Sequence, residues 1–471
     1  MKRQRLSSME NLDRISSLHE SIRRHVLSFL PMEDAIRTSV LSKNWRDVCS
    51  YLPNLEFNEG VYRQNKRGRE GLDEFKDIID QMLLVHDDSN IKRFMLRFYK
   101  AQTPISTQHL NAWISFVVRH NVQELTLNLD HWPIEQLPSC LFTCSTLTTL
   151  ELNSLRLRLP TTIQFPLLKS LVLDKIGFVD DNSTNKLFSS SSCPVLEDLI
   201  ILCCYQSIET THTVSFSKLK LLKFFENDFF FNVGIDLNLK TNLFISYLHK
   251  FAYKGKEPPK LSCETLSSMT QAKFTLTLPP TDSNDTCENS ASKILMGMRN
   301  VVTLSLKGFY IEFLTRDQDV STSLVTSSDS LKTLKLHMHA TKNQLQVVTF
   351  LLRSYRNVQS LSIYFSQEDY TSLNMLNMEE YWQSEVLSTR DNLSHLKTVE
   401  IDLFQGSDIE LQLVRYLLVS ASTLERIRID LQFYTGDAEE QRRLSAKLQT
   451  FTRISPDASI YVSGFERFVG H

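Results

Sequence analysis

A short apolar unit recurs along most of the chain, and a sequence built this way can only fold by stacking its copies. The unit is apolar-x-x-apolar-x-apolar. It reads VQELTL from Val122, LTTLEL from Leu147, LKSLVL from Leu168, LEDLII from Leu196 and LKLLKF from Leu219. It continues as LHKFAY from Leu248, VVTLSL from Val301, LKTLKL from Leu331 and VQSLSI from Val358. LKTVEI from Leu396 and LERIRI from Leu424 close the series, and IKRFML from Ile91 and QAKFTL from Gln271 are weaker copies. The copies recur about every 28 residues on average, within the range of leucine-rich repeats. The last two apolar positions alternate with polar ones, as in a short strand with one buried face. One unit cannot bury that face alone, whereas a stack of parallel neighbours can.

The expected fold is therefore α/β: a leucine-rich-repeat solenoid with a parallel sheet on its concave face and helices on its convex face. Helix spacing in the return segments supports this. Leu110, Trp113, Ile114, Val117 and Val118 form one such set. Leu345, Val348, Leu351 and Leu352 form a second, and Ile409, Leu413, Tyr416 and Leu417 a third. Asp437 with Glu440 reads as the start of a terminal helix, and SIYV from Ser459 as a last strand. Together they are expected to cap the array.

With 471 residues, 52 Lys plus Arg and 54 Asp plus Glu, the chain is long and nearly neutral. That balance argues against a nucleic-acid-binding protein, which usually carries a basic excess. Glycine is scarce at 12 residues, and no Gly-rich phosphate loop is present. No apolar run reaches membrane-spanning length, and MKRQRLSSME lacks the apolar core of a secretory signal. None of the eight cysteines has CxxC spacing, so a reduced compartment, cytoplasm and/or nucleus, is the expectation. Cys144 and Cys193 take the same place in their repeats and read as small turn residues. No metal or cofactor site is expected, since His337 and His339 on one strand lack a third ligand.

The first sixty residues fall outside the repeat. Ser17 with Glu20 is a capping box, followed by a stripe of Ile22, Val26 and Phe29, and Pro31 ends the helix. Asp34 and Ser42 can cap two further short helices, the second carrying Trp45. Three such helices bury too little surface to stand alone, so a partner or the adjoining array should complete them.

This stretch resembles the plant type of F-box. The matching residues are Asp13-Arg14-Ile15-Ser16, Leu18, Val26-Leu27-Ser28-Phe29-Leu30-Pro31, Asp34-Ala35, Thr38-Ser39-Val40-Leu41-Ser42-Lys43 and Trp45. The segment from about 380 to 432 resembles the FBD domain of the plant F-box/FBD/LRR-repeat proteins. The implied layout is an F-box at 10–57, a helical linker at 58–90, leucine-rich repeats at 91–379, an FBD-like segment at 380–432 and a C-terminal cap at 433–471.

The resemblance implies a substrate-recognition subunit of an SCF-type cullin–RING ubiquitin ligase, with no catalysis of its own. It implies docking on a Skp-type adaptor, and through it on cullin and RING subunits, by Leu18, Ile22, Val26, Leu27, Leu30, Asp34, Val40, Ser42, Lys43 and Trp45. His19 stands where the family usually has proline, which should weaken that docking. The alternative is a repeat-based interaction scaffold outside any ligase. Neither a nucleic acid nor a membrane is an expected partner. The repeat register turns the middle of each strand and the residue after it outward. An apolar group of Ile200, Leu202 and Phe225 emerges there as a candidate substrate-binding patch.

Overall fold

The computed structural model describes residues 18–27, 29–30, 32, 34–35, 38, 43–65, 71–99, 106–129, 136–179, 181–206, 211–226, 240–279, 291–316, 329–366, 393–431 and 438–464. The chain divides into two compact units, residues 1–196 with 204–210, and residues 197–203 with 211–471.

In the first unit, helices Glu20–Leu27 and Lys43–Ser50 pack on one another and lead into strand Asn54–Asn58. That strand begins a parallel sheet continued by Arg93–Phe98, Glu124–Leu129, Thr149–Asn153 and Ser170–Asp174. Its strands alternate inward and outward as the repeat requires: Leu55, Phe57, Phe94, Leu96, Leu125, Leu127, Leu150, Leu152, Leu171 and Leu173 are all buried. Strand Asn54–Asn58 lies ahead of the first unit read from the sequence. Its signal was present, because Leu52, Leu55 and Phe57 repeat the apolar spacing inside the stretch assigned to the helical module.

Two helices, Glu59–Asn65 and Gly71–Val85, lie between the first two strands. Glu59, wholly buried, ties this turn together. Its carboxylate accepts from the Arg63 guanidinium and, at 2.7 Å, from the Tyr99 backbone N–H. Helix Thr107–Arg119 is capped by Ser106, whose hydroxyl accepts from the His109 N–H, and it buries Leu110, Trp113, Ile114 and Val117. After Thr149 the returns shorten and carry two-residue strands, with the short helix Asp181–Leu187 in one of them. Arg156–Leu157, Gly177–Phe178 and Tyr205–Gln206 form a second small parallel sheet. The expectation of a helical return fails between strands Thr149–Asn153 and Ser170–Asp174, which leave sixteen residues between them. Two passages across the array and two turns use up that length, and a helix of average size takes about 11 residues of its own. Ser154, Lys175 and Cys203 each follow a sheet strand with a left-handed φ of 52–58°, the same exit turn repeated.

The second unit carries the parallel order Asp198–Leu202, Leu221–Phe225, Lys250–Gly255, Gln271–Leu276, Thr303–Gly308, Thr333–Met338, Ser360–Phe365, Thr398–Phe404, Arg426–Leu431 and Ser459–Gly464. Its longer returns are helical. Lys342–Ser354 is capped by Thr341, and Asp408–Ser420 by a full capping box in which Ser407 and the buried Glu410 bond reciprocally. Helix Ala438–Gln449 buries Leu448 against the end of the array, and Ser459–Gly464 pairs with Arg426–Leu431. Asp437, read as its cap, lies outside the described residues. Cys144 and Cys193 are buried, and burial pushes the Cys193 thiol up to about 12, which keeps it protonated and unreactive.

Candidate functional site

Helix Glu20–Leu27 is amphipathic and its two faces have different fates. Leu27 faces inward and is buried with Met32, Ala35, Trp45, Val48 and Cys49. The Cys49 thiol sits 3.1 Å from the Ala35 carbonyl, and burial raises it to about 11. On the other face Ile22 is 48% exposed, Val26 39%, Phe29 74% and Leu30 37%. Ile22, Val26 and Phe29 follow i, i+4, i+7 spacing and so make one apolar stripe. Singly exposed apolar side chains are ordinary, but four side by side on one helix and its exit turn form a patch suited to a partner. Phe29 was not among the docking residues read from the sequence, although its place on the stripe was visible.

The other expected docking residues separate by burial. Leu18 and Asp34 are half-buried. Leu27 and Trp45 pack the module's own interior and offer no surface, because helices Glu20–Leu27 and Lys43–Ser50 close on one another with these large side chains buried. Val40 and Ser42 lie outside the described residues, and for Lys43 only the backbone, in its helix, is described.

His19 compensates locally for the missing proline. Its Nδ1 accepts from the Ser21 backbone N–H at 3.3 Å and lies 2.8 Å from the Ser21 hydroxyl, filling the place of a side-chain cap at the helix start. Behind the helix a cleft of about 900 Å³ runs between it and the first strands, reaching Tyr51, Glu56, Met95 and Arg97. The module is tied to those strands through the backbone. Lys92 and Arg93 N–H groups donate to the Pro53 carbonyl, and the Asp87 N–H donates to Ser50.

The second candidate surface is the outward sheet face of the second unit. Ile200 pairs in register with Lys223, and Leu202 with Phe225, so the expected apolar group is brought together, each member half-buried. Phe224, the inward neighbour, stacks on Tyr253 in the core, and the rest of the aromatic run from Asp228 onward lies outside the described residues. The far end of this face is acidic, with Glu400, Asp402 and Asp430. Burial, then the charges of Asp430 and Glu400, raise the Asp402 carboxyl above its ordinary value. Asp430 keeps the outward register expected of it but is only 8% exposed, because its carboxylate accepts from Arg428 at 2.7 Å and from the hydroxyl of its register partner Ser463, and these cover it. Among the described residues no group of His, Cys, Asp and Glu gathers as a metal site, and no helix is long and apolar enough to cross a membrane.

Three domain models match the chain. Residues 15–57 match the F-box domain model, and residues 392–429 match FBD. Residues 110–235 match the repeats described as "FBD-associated F-box protein At5g56370, LRR repeats". The chain carries F-box, leucine-rich-repeat and FBD domains, and its relatives are F-box/FBD/LRR-repeat proteins. Relatives in Arabidopsis thaliana match it nearly end to end or over about half its length. The Putative F-box protein At3g58960 is 28% identical over 94% of this chain and 97% of its own length. The FBD-associated F-box protein At1g66310 is 25% identical over 97% of each. The F-box/LRR-repeat protein At4g14103 is 34% identical, over 45% of this chain and 55% of its own. F-box and leucine-rich-repeat domains together make a protein-interaction adaptor.

Proposed function

We propose that this chain is the substrate-recognition subunit of an SCF-type cullin–RING ubiquitin ligase. Its F-box docks on a Skp-type adaptor, and its repeat face holds a protein substrate. The observation that carries the reading is the apolar stripe of Ile22, Val26, Phe29 and Leu30, exposed on a helix whose opposite face already fills the module's interior. Leu18 and Asp34 stand at its margin, and Val40, Ser42 and Lys43 belong to the same proposed surface. The ligase's chemistry then lies in other subunits, and this chain contributes proximity, holding the substrate near the loaded enzyme. Ile200, Leu202 and Phe225 are the proposed apolar anchors for that substrate. The compartment that fits is the cytoplasm or the nucleus, where the other ligase subunits reside.

Co-purification of the full chain with a plant Skp-type adaptor tests this. An Ile22→Lys substitution places a charge on an exposed site, so the fold survives while an apolar contact becomes a desolvated charge. Adaptor recovery should fall at least tenfold, the equivalent of about 1.4 kcal/mol. Wild-type recovery by that variant would place docking elsewhere. Absence of adaptor from the unaltered chain would favour the scaffold reading, for which the histidine at position 19 is the supporting observation.

A further inference from the structure

The sheet face of the second unit is not uniformly mixed in charge. Along one register row the outward residues are Lys223, Ala252, Lys273, Ser305 and Lys335, one per strand. Lysines occupy alternate strands, and the strands between them carry small residues. Lys250 and Lys307 flank this row from the rows on either side. The result is a cleft of about 390 Å³ floored by Ala252, Gln271, Thr303 and Ser305 and rimmed by five lysines. None of the five makes an ion pair or a side-chain hydrogen bond among the described residues. Elsewhere on the protein, by contrast, Arg93, Lys220, Lys397 and Arg428 each have a carboxylate partner.

Five unpaired like charges are costly to hold together. The cost shows in Lys307, whose ammonium is lowered below its ordinary value by burial and then by Lys273 and Lys335. His337 is likewise held down to about 4 by burial, then by Lys307 and Lys273. An anion seated in the cleft would offset that repulsion.

The row's surroundings define what kind of anion fits. On one side lie Ile200, Leu202, Leu221 and Phe225, half-buried and apolar. On the other, the row reaches Ser362 one strand past Lys335 and Glu400 two strands past it. Lys223 to Lys335 spans four strand steps, about 19 Å, or roughly six residues of extended peptide. A nucleic acid needs a basic track that continues along its backbone. Here the track ends on an apolar patch in one direction and on carboxylates in the other.

Resting on the reading above, that this face takes a protein substrate, we propose the class of segment it takes. Lys223, Lys250, Lys273, Lys307 and Lys335 bind a short run of acidic or phosphorylated residues, whose apolar neighbours meet Leu202 and Phe225. Each phosphoryl group would bring about 1.5–2 negative charges to the lysines.

Fluorescence anisotropy on the purified full chain tests this with four labelled probes: a twelve-residue peptide carrying three phosphoserines beside two leucines, its glutamate counterpart, its serine counterpart and a twelve-nucleotide uridine strand. The phosphopeptide, the glutamate peptide or both should bind at least tenfold tighter than the serine peptide, and which of them does so identifies the source of the charge. Binding should weaken as salt rises. The pair K273E/K335E should lose at least tenfold, and K260E, an exposed lysine away from the row, should lose nothing. Equal binding of charged and serine peptides, tighter binding of the uridine strand, displacement by tripolyphosphate with no contribution from the leucines, or unchanged binding by K273E/K335E would each overturn the proposal. The Ile22→Lys variant should keep peptide binding while losing the adaptor. Failure of the ligase reading and failure of this one are therefore read on separate variants.

Discussion

At the scale of single residues, outward and inward positions were the most legible part of the sequence. Period-2 alternation places Thr126, Glu151, Ile200, Lys223, Lys335 and Glu400 on the exposed side of their strands, and the structure has them there. What the sequence could not show is which of these residues share a row, because register depends on where each return segment lets the next strand begin. The lysine row is an example. Lys273 and Lys335 are 62 positions apart in sequence, yet only Ser305 stands between them in the sheet. His337 reports on that row. It stacks on Tyr364 with ring centroids 4.2 Å apart, and its folded pKa of about 4 lies below the ordinary 6.5. Between those values the unfolded chain takes up a proton that the folded chain refuses. The stability this provides is present above pH 6.5 and is lost as pH falls toward 4. A His337→Gln variant gives up the stack at every pH and, having no imidazole, gives up the proton linkage as well. Its urea midpoint should therefore decline less than the wild-type midpoint between pH 7 and pH 4.5. Parallel declines would show that the imidazole is not held neutral by its neighbours.

At the scale of elements, helix positions followed from apolar spacing and caps, as in Thr107–Arg119 and Asp408–Ser420. Faces were harder to assign. The first helix has apolar residues enough for two faces, and a sequence gives no means of saying which belongs to the chain and which to a partner. The structure separates them, with Leu27 inward and Ile22, Val26, Phe29 and Leu30 outward. Trp45 sorts the same way. It is 7% exposed, so its indole fills the interior between the helices. Trp45→Ala should then act on stability, removing a buried ring at a cost of about 3–5 kcal/mol. That exceeds what helices of eight residues can spare. The module should become protease-sensitive around residues 20–50, and adaptor recovery should fall as a consequence of unfolding. Ile22→Lys should lose adaptor while keeping wild-type protease resistance. A Trp45→Ala chain that stayed resistant but lost the adaptor would put the indole at the contact after all.

At the scale of the whole molecule, the repeat carries the fold because each strand's partners are its neighbours, and stability is close to a sum over neighbouring units. The ends of such an array are the exposed places, and the C-terminal end is closed by helix Ala438–Gln449 and strand Ser459–Gly464. Buried Leu448, Phe451, Ala458 and Ile460 belong to this cap, and Arg415 lies over the Phe451 ring at 4.7 Å. Ser455 closes the turn by donating to the Leu424 carbonyl at 2.7 Å. Ending the chain after Leu431 would leave Arg426–Leu431 as a bare edge strand, its backbone groups unpaired and Ile427 and Ile429 uncovered on one side, the arrangement that invites pairing between chains. The truncated protein should aggregate on heating and lose its last repeats at lower temperature, read as faster hydrogen exchange in strands Thr398–Phe404 and Arg426–Leu431. Exchange in Arg93–Phe98 and recovery of the adaptor should be unchanged, because the array transmits the loss only to adjoining units. Uniform acceleration across every strand would mean instead that the molecule unfolds as a single cooperative body, with each repeat depending on both ends.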